Sequence, residues 1–163
     1  MKNLILLFFL FSLNIYSQDS LTIKQVHFEK GTCYRNDNNG LFSGKAQSYK
    51  HKKHLVFETE FKNGILIKSI EYFNGKKRKI AEEIYYGNYG AKQKKIKYEY
   101  SIDYKWIEYY NENSQKVLEE EYENGNLVYK CEYLNNKKNG IAFRINKNGE
   151  KSECKFENGK LIK

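Results

Sequence analysis

The stretch EEEYENGNLVYKCEY, residues 119–133, carries four glutamates in five residues, then Asn124-Gly125, then a second run that contains two tyrosines. Asn-Gly between two alternating runs is the strongest short signal for a two-residue β-hairpin turn. The stretch is therefore predicted to be an ordered hairpin and not charged filler. The predicted cross-strand pairs, counted outward from the turn, are Tyr122–Leu127, Glu121–Val128, Glu120–Tyr129, Glu119–Lys130 and Leu118–Cys131.

The same turn signal recurs along the chain, and an aromatic or apolar residue precedes most of its copies at steps of 11 or 12 residues. The residues of this ladder are Tyr49, Phe61, Tyr72, Ile84, Tyr110, Tyr122, Tyr133, Ile145 and Phe156. Each step has room for one strand and one turn. The pattern predicts an all-β fold, an elongated antiparallel meander of tandem β-hairpins that is mostly a single layer, in which each hairpin contacts its neighbours.

One interval breaks the period. Ile84 and Tyr110 lie 26 residues apart, and the excess falls in the segment 87–90, with Tyr98 as the predicted missing member of the ladder. A glutamate stands directly before most ladder residues, at positions 60, 71, 83, 121 and 132. Because successive strand residues point to opposite faces of a sheet, we expect one face with an aromatic row and one with a solvated row of glutamates.

The chain is predicted to have three parts: a signal peptide over residues 1–17, an N-terminal lead-in strand over 18–37 and a repeat domain over 38–163. Lys2 is followed by an apolar run from Leu4 to Leu13, which is shorter than the ~20 residues of a membrane-spanning helix, and Ser17 is a plausible cleavage point. We expect an exported protein, periplasmic or secreted, with no transmembrane segment in the mature chain. An uncleaved N-terminal anchor is the alternative.

The charge of the chain is basic, with 29 Lys+Arg against 20 Asp+Glu and a formal net charge of +9. A basic balance often indicates nucleic acid or an anionic surface. Here the lysines are spread along the chain, with short clusters at 76–79 and 92–97, and an exported protein rarely meets nucleic acid. Nucleic acid is therefore not expected as a partner, although salt-dependent binding of an anionic polymer stays a third hypothesis.

Three stretches carry a resemblance to a known family. They are WIEYYNENSQKVLEEEYENGNLVYKCEY from Trp106, NNKKNGIAFRINKNGEKSECKFENGKL from Asn135 and a weaker copy, HLVFETEFKNGILIKSIEYFNGK, from His54. Over residues 38–163 the chain resembles the MORN-repeat variant family of bacterial proteins, often described as antitoxin-like of the YwqK type. The resemblance implies tandem β-hairpins and a binding or scaffolding role without catalysis. Ser114 stands where the family has a turn glycine, and an export signal fits poorly with an antitoxin, although immunity against an exported toxin stays open.

Few residue patterns point to chemistry. Cys131 and Cys154 are 23 residues apart, which places them two strands apart at ~9.5 Å, beyond the ~7 Å limit of a disulfide, so both are predicted to be free and semi-buried. The pair His51 and His54 encloses two lysines, which disfavour a metal ion. No Ser/His/Asp, phosphate-loop or paired-carboxylate arrangement stands out. We expect a protein that is not an enzyme, with no metal site and no cofactor.

The aromatic face is the predicted binding site. Its members are Trp106, Tyr110, Tyr122, Tyr129, Tyr133, Phe143 and Phe156. Aromatic rings in a row can stack on sugars, peptides or bases, and an open sheet edge can accept a partner strand. The alternative is that the rings pack on each other. The sequence thus predicts a monomeric, exported binding or scaffolding module for a protein or envelope component, or alternatively an antitoxin- or immunity-like protein.

Overall fold

A computed structural model describes residues 19–51 and 53–162 of the chain. The predicted signal peptide, residues 1–17, lies outside the described residues. The strands are β1 Asp19–Thr22, β2 Val26–Glu29, β3 Thr32–Arg35, β4 Gly44–Lys50, β5 His54–Lys62, β6 Ile65–Tyr72, β7 Ile80–Tyr86, β8 Lys92–Glu99, β9 Tyr104–Tyr110, β10 Lys116–Glu123, β11 Asn126–Leu134, β12 Lys137–Ile145, β13 Lys151–Glu157 and β14 Lys160–Ile162. Two short 3-10 turns cover Ile23–Gln25 and Asn88–Gly90. No helix of the described residues is long and apolar enough to cross a membrane.

Twelve strands form one open sheet in the order β1, β4 and then β5 to β14 in sequence. Every neighbouring pair from β4 to β14 is antiparallel, whereas β1 lies parallel to β4. The predicted all-β meander of tandem hairpins is confirmed. The extra strand predicted in the long interval is also confirmed, because β8 contains Tyr98 and follows the irregular turn at Asn88–Gly90.

The hairpin turns form where the sequence supplies residues that tolerate a positive φ. Asn124 and Gly125 have φ of 50° and 78°, and Asn63 and Gly64 have φ of 49° and 75°. Positive φ at both central residues is the type I′ arrangement, whose twist matches that of the strands it joins. The turn chemistry thus sets the strand boundaries.

The register of the opening hairpin differs from its prediction beyond the first pair. Tyr122 lies opposite Leu127 as predicted, but a bulge at Val128 shifts all later pairs by one residue. The observed pairs are Glu121–Tyr129, Glu120–Lys130, Glu119–Cys131 and Leu118–Glu132. A bulge places two residues opposite one, so the inserted residue reverses which face every later residue of β11 occupies.

The prediction that the glutamates form one solvated row is therefore wrong. Glu83 pairs with Ile96, which pairs with Ile107, whereas Glu121 pairs with Trp106, so Glu83 and Glu121 lie on opposite faces of the sheet. Both are buried, with 7% and 6% of their surface exposed. We name the two faces after the adjacent β9 residues Trp106 and Ile107. Bulges recur in most hairpins and move successive ladder residues from one face to the other.

The N-terminal region is more than a lead-in strand. The segment 18–37 contains β1 and the separate β2–β3 hairpin, and this hairpin supplies a second layer over the start of the large sheet. The first core cluster joins the two layers and consists of Val26, Cys33, Phe42, Ala46 and Phe61. Elsewhere the sheet is thin, with small clusters around Ile70 on one face and Cys131 on the other.

Gly64 fixes how closely the hairpin approaches the sheet. Its amide donates to the carbonyl of Phe42 at 2.7 Å, and its carbonyl accepts from the amide of Cys33 at 2.9 Å. A Cβ atom on Gly64 would lie 2.5 Å from Cγ2 of Thr32. The second layer therefore requires a residue without a side chain at this turn.

The cysteines follow the repeat as predicted in position but not in burial. Cys131 and Cys154 both pair with Ala142, from opposite sides, and are therefore two strands apart, and both are free. Cys131 is buried, but Cys154 is exposed, so the prediction of a semi-buried Cys154 is wrong. The reason is that β13 and β14 end the sheet with almost no side chain packed over them.

Candidate binding surface around Trp106

The seven aromatic residues of the predicted face lie on two faces. Glu121 pairs with Trp106 on one side and with Tyr129 on the other, so these two rings share the Trp106 face, and alternation along the strands adds three more members. The Trp106 face carries Trp106, Tyr110, Tyr129, Tyr133 and Phe156, and the Ile107 face carries Tyr122 and Phe143. A single continuous aromatic row is therefore not formed.

Most of these rings are also covered by a cation. The ammonium or guanidinium groups lie 4.2–5.6 Å from the ring centroids, close enough for a cation–π contact. The pairs are Lys92 with Tyr110, Lys105 with Tyr122, Lys138 and Arg144 with Tyr129, Lys116 with Tyr133, Lys151 with Phe143 and Lys138 with Phe156. Among the described residues, Trp106 is the one ring of the seven with no cation over it. The ring of Trp106 instead makes an edge contact with the ring of Tyr104, with 4.6 Å between the two ring centroids.

A carboxylate network lies beside Trp106. Lys116 Nζ binds Glu108 at 3.0 Å and Glu119 at 2.5 Å. Tyr110 donates to Glu108 and Tyr133 to Glu119, each at 2.7 Å. Burial alone would raise the pKa of Glu108, but the hydrogen bonds from Tyr110 and Lys116 lower it below its ordinary value. Glu108 is thus held ionised and in place at the side of the indole ring.

A second network holds the other side of the ring. Glu121 accepts hydrogen bonds from the Tyr104 hydroxyl and from Arg144 Nη2, the latter at 3.0 Å. Burial and the hydrogen bond to Glu121 raise the pKa of Tyr104 to about 12. Tyr104 is therefore a neutral hydrogen-bond donor at physiological pH, and its fixed ring orients the edge of Trp106.

Trp106 lies between two adjoining cavities. One cavity, of about 330 Å³, is lined by Lys95, Lys97, Trp106, Glu108 and Glu119. The other, of about 370 Å³, shares Lys97 and Trp106 with the first and extends toward Phe73 and Tyr98. An open aromatic ring with ammonium and carboxylate groups on both sides can stack on a flat ligand group and hydrogen-bond its polar substituents.

The sequence did not predict a third region, at the N-terminal end of the sheet. A cavity of about 810 Å³ is lined by residues 30–32 of the β2–β3 turn, Ile65 and Leu66 of β6, and Asn88–Gly90. Tyr89 stands on its rim, 101% exposed and at a φ of 58°. The broken period at 87–90 was the available signal, because insertions in repeat proteins tend to lie on the binding side.

The remaining predicted sites are reported briefly. The described residues contain no group of three or more His, Cys, Asp or Glu side chains that could hold a metal ion. His51 and His54 lie at the β4–β5 turn, at the opposite end of β5 from Gly64.

No protein-family model matches this chain, and no curated protein matches it either. The resemblance to MORN-repeat variants stays a prediction that rests on the residue spacing together with the residue types.

Proposed function

We propose that this chain is an exported, non-enzymatic repeat protein that binds a protein or an envelope component through the Trp106 face. The observation that carries the proposal is the position of Trp106 between two adjoining cavities, with no cation over its ring among the described residues. The other predicted rings serve the sheet itself, because each lies under an ammonium or guanidinium group that shields it.

The charges around Trp106 favour a polar partner. Lys95 and Lys97 both face Glu82, at 2.9 and 3.7 Å, and Lys97 is more than half exposed. An exposed lysine in a long ion pair can exchange its partner at small cost. A ligand that offers hydroxyl or carboxylate groups beside an apolar surface matches this arrangement of donors, acceptors and ring.

Trp106 also provides the test, because it is the only tryptophan of the chain. Affinity capture of the mature protein from its own cell envelope is expected to recover a partner, and that partner should change the tryptophan fluorescence on binding. Trp106→Ala should abolish capture, with circular dichroism unchanged. The control is Phe143→Ala, which removes a half-buried strand ring from the Ile107 face and should retain capture.

Capture that survives Trp106→Ala would contradict the proposal. A captured toxin, together with a gene deletion that is harmful only while the toxin gene is present, would favour the immunity function instead.

A further inference from the structure

Two basic segments that are far apart in sequence meet at one end of the sheet. The first is the β4–β5 turn with Lys50, His51, Lys53 and His54, and the second is the β6–β7 connection, residues 73–79, with Lys76 and Lys77. They lie at the same end because β5 and β6 form a hairpin whose own turn is at the opposite end. Adjacent turns on one end of a meander are two strand spacings apart, about 9.6 Å.

A cavity of about 470 Å³ lies between these two segments. It is lined by Lys50, His51, His54, Asn74, Gly75 and Lys76. Neither residues 50–54 nor residues 73–79 contain an aspartate or a glutamate. Every charged or titratable side chain that lines this cavity is thus a cation or a potential cation.

The buried carboxylate of Glu58 is bound by residues that do not line the cavity. Glu58 is 2% exposed and is bound by Lys45 at 3.2 Å, by Gln47 at 2.6 Å and by Arg78 of the second segment at 3.5 Å. Arg78 lies over the Tyr72 ring and donates to its hydroxyl at 2.7 Å. Within the described part of the chain, Lys50 and Lys76 form no ion pair, so both ammonium groups are available to a ligand.

One of the residues that line the cavity has an unsatisfied polar atom. His54 Nε2 is buried and has no hydrogen-bond partner among the residues that the structure describes. Buried polar atoms in folded proteins are nearly always hydrogen-bonded, so an exception calls for an explanation. An oxyanion that reaches the Nε2–H group of His54 would supply the missing acceptor.

We propose that this cavity is an anion-binding site for a phosphate-type oxyanion, distinct from the two cavities at Trp106, one of which also has Asn74 in its lining. Lys50 and Lys76 neutralise the charge from the two turns, and His51, His54 and the Asn74 amide supply further donors. Ammonium groups and imidazole N–H donors with no competing carboxylate are the chemistry that recognises a phosphate oxygen.

The test uses inorganic pyrophosphate with the purified protein at low and moderate salt. In NMR spectra, we expect the backbone amide signals of Gly75 and Lys76 to shift as pyrophosphate is added. The affinity for pyrophosphate should fall as the salt concentration rises. The double variant Lys50→Gln/Lys76→Gln should bind about tenfold more weakly. The matched control is Lys137→Gln/Lys147→Gln, which removes the same charge from two other exposed positions, the start of β12 and the β12–β13 turn, and should bind within about twofold of the original protein.

Two results would contradict the proposed site. One is the absence of a shift at Gly75 and Lys76. The other is an equal loss of affinity in the control variant, which would mean that pyrophosphate binds through the net charge of the protein alone. Binding to phosphatidylglycerol vesicles tests whether the phosphate belongs to a lipid. Vesicle binding that is lost in the Lys50/Lys76 variant and kept in the control would support the site and indicate that its ligand is a lipid headgroup. Pyrophosphate binding without vesicle binding would support a soluble phosphate compound.

Discussion

At the scale of single residues, a buried glutamate is the least expected feature of this protein. Glu121 stands in the charged run 119–121, yet only 6% of its surface is exposed. Its carboxylate is satisfied by Tyr104 and by Arg144, which lies 23 residues further along the chain. A buried charge of this kind is stable only while its partners are present.

Replacement of Glu121 tests this burial. Glu121→Ala leaves Tyr104 and Arg144 without their acceptor and should lower the free energy of unfolding by about 2 kcal/mol, measured by urea denaturation. The control is Glu153→Ala, whose pair with Lys151 is about half exposed on both sides and should cost less than about 0.5 kcal/mol. Equal effects of the two substitutions would mean that Glu121 behaves as a solvated residue.

Two glycines with nearly equal φ separate steric crowding from backbone strain. Gly64 (φ 75°) is crowded by Thr32 and Cys33, whereas a Cβ on Gly125 (φ 78°) would have no neighbour within 4 Å. Gly125→Ala should lower the free energy of unfolding by about 1 kcal/mol through strain alone. Gly64→Ala should cost at least about 1 kcal/mol more, because the β2–β3 hairpin must move. Equal costs in thermal or urea unfolding would contradict the close packing of that hairpin.

At the scale of strands and hairpins, the bulges decide which side chains are buried. Each inserted residue exchanges the two faces of the next strand, so charged residues reach the middle of a thin sheet. Glu83 is the example on the Ile107 face, where Lys68 contacts it at 2.6 Å and Tyr98 donates to it at 2.9 Å. These contacts of Glu83 in β7 with Lys68 in β6 and Tyr98 in β8 join neighbouring hairpins.

The pKa of Glu83 predicts how this pairing responds to acid. Burial opposes the charge, but Lys68 and Tyr98 hold the pKa below its ordinary value of 4.5. Above pH 4.5 the contribution of the ionised Glu83 to stability is complete, and it is lost as the pH falls toward the lower folded-state pKa. Glu83→Gln should therefore flatten the decline of unfolding free energy below pH 4.5. Urea unfolding from pH 7 to 3 measures this, with Glu153→Gln as control, and an unchanged slope would contradict the prediction.

At the scale of the whole molecule, tyrosine replaces much of the aliphatic core. The chain has 15 tyrosines, and several of them join a half-buried ring to a carboxylate, as Tyr110 does on its own strand and Tyr133 on the neighbouring strand. The rings supply apolar area while the hydroxyls satisfy buried charge. A sheet with little second layer is held together in this way.

Alkaline pH should therefore unfold the protein. Burial, followed by hydrogen bonds to carboxylates, raises the pKa of Tyr98, Tyr104, Tyr110 and Tyr133 above the ordinary value of 10.0, for Tyr104 to about 12. Below pH 10 these phenols are protonated in both states, and from pH 10 upward the unfolded state is favoured because it ionises first. We expect absorbance at about 295 nm, the tyrosinate signal, and loss of β-sheet circular dichroism to rise together between about pH 10 and 12. Tyrosine ionisation well before unfolding would contradict these contacts.

Much of the architecture was predictable because it depends on local chemistry. Asn-Gly at 124–125 selects its turn without help from other strands, and the constant spacing of such turns defines an antiparallel meander. The interval at 87–90 was visible as a break in that spacing. The candidate site was only partly predictable: Trp106 was named, but with six rings that the structure assigns to other contacts.

The sequence alone determined the fold class, the turns and the ladder of hairpins, because these follow from backbone conformation and from the order of residues within about a dozen positions. Only the tertiary structure decided the faces and the sites. The bulge at Val128, the ion pair of Glu121 with Arg144 and the cavity between Lys50 and Lys76 each depend on another strand or turn. A shift of one residue, which costs little in local terms, reverses the face of every side chain beyond it.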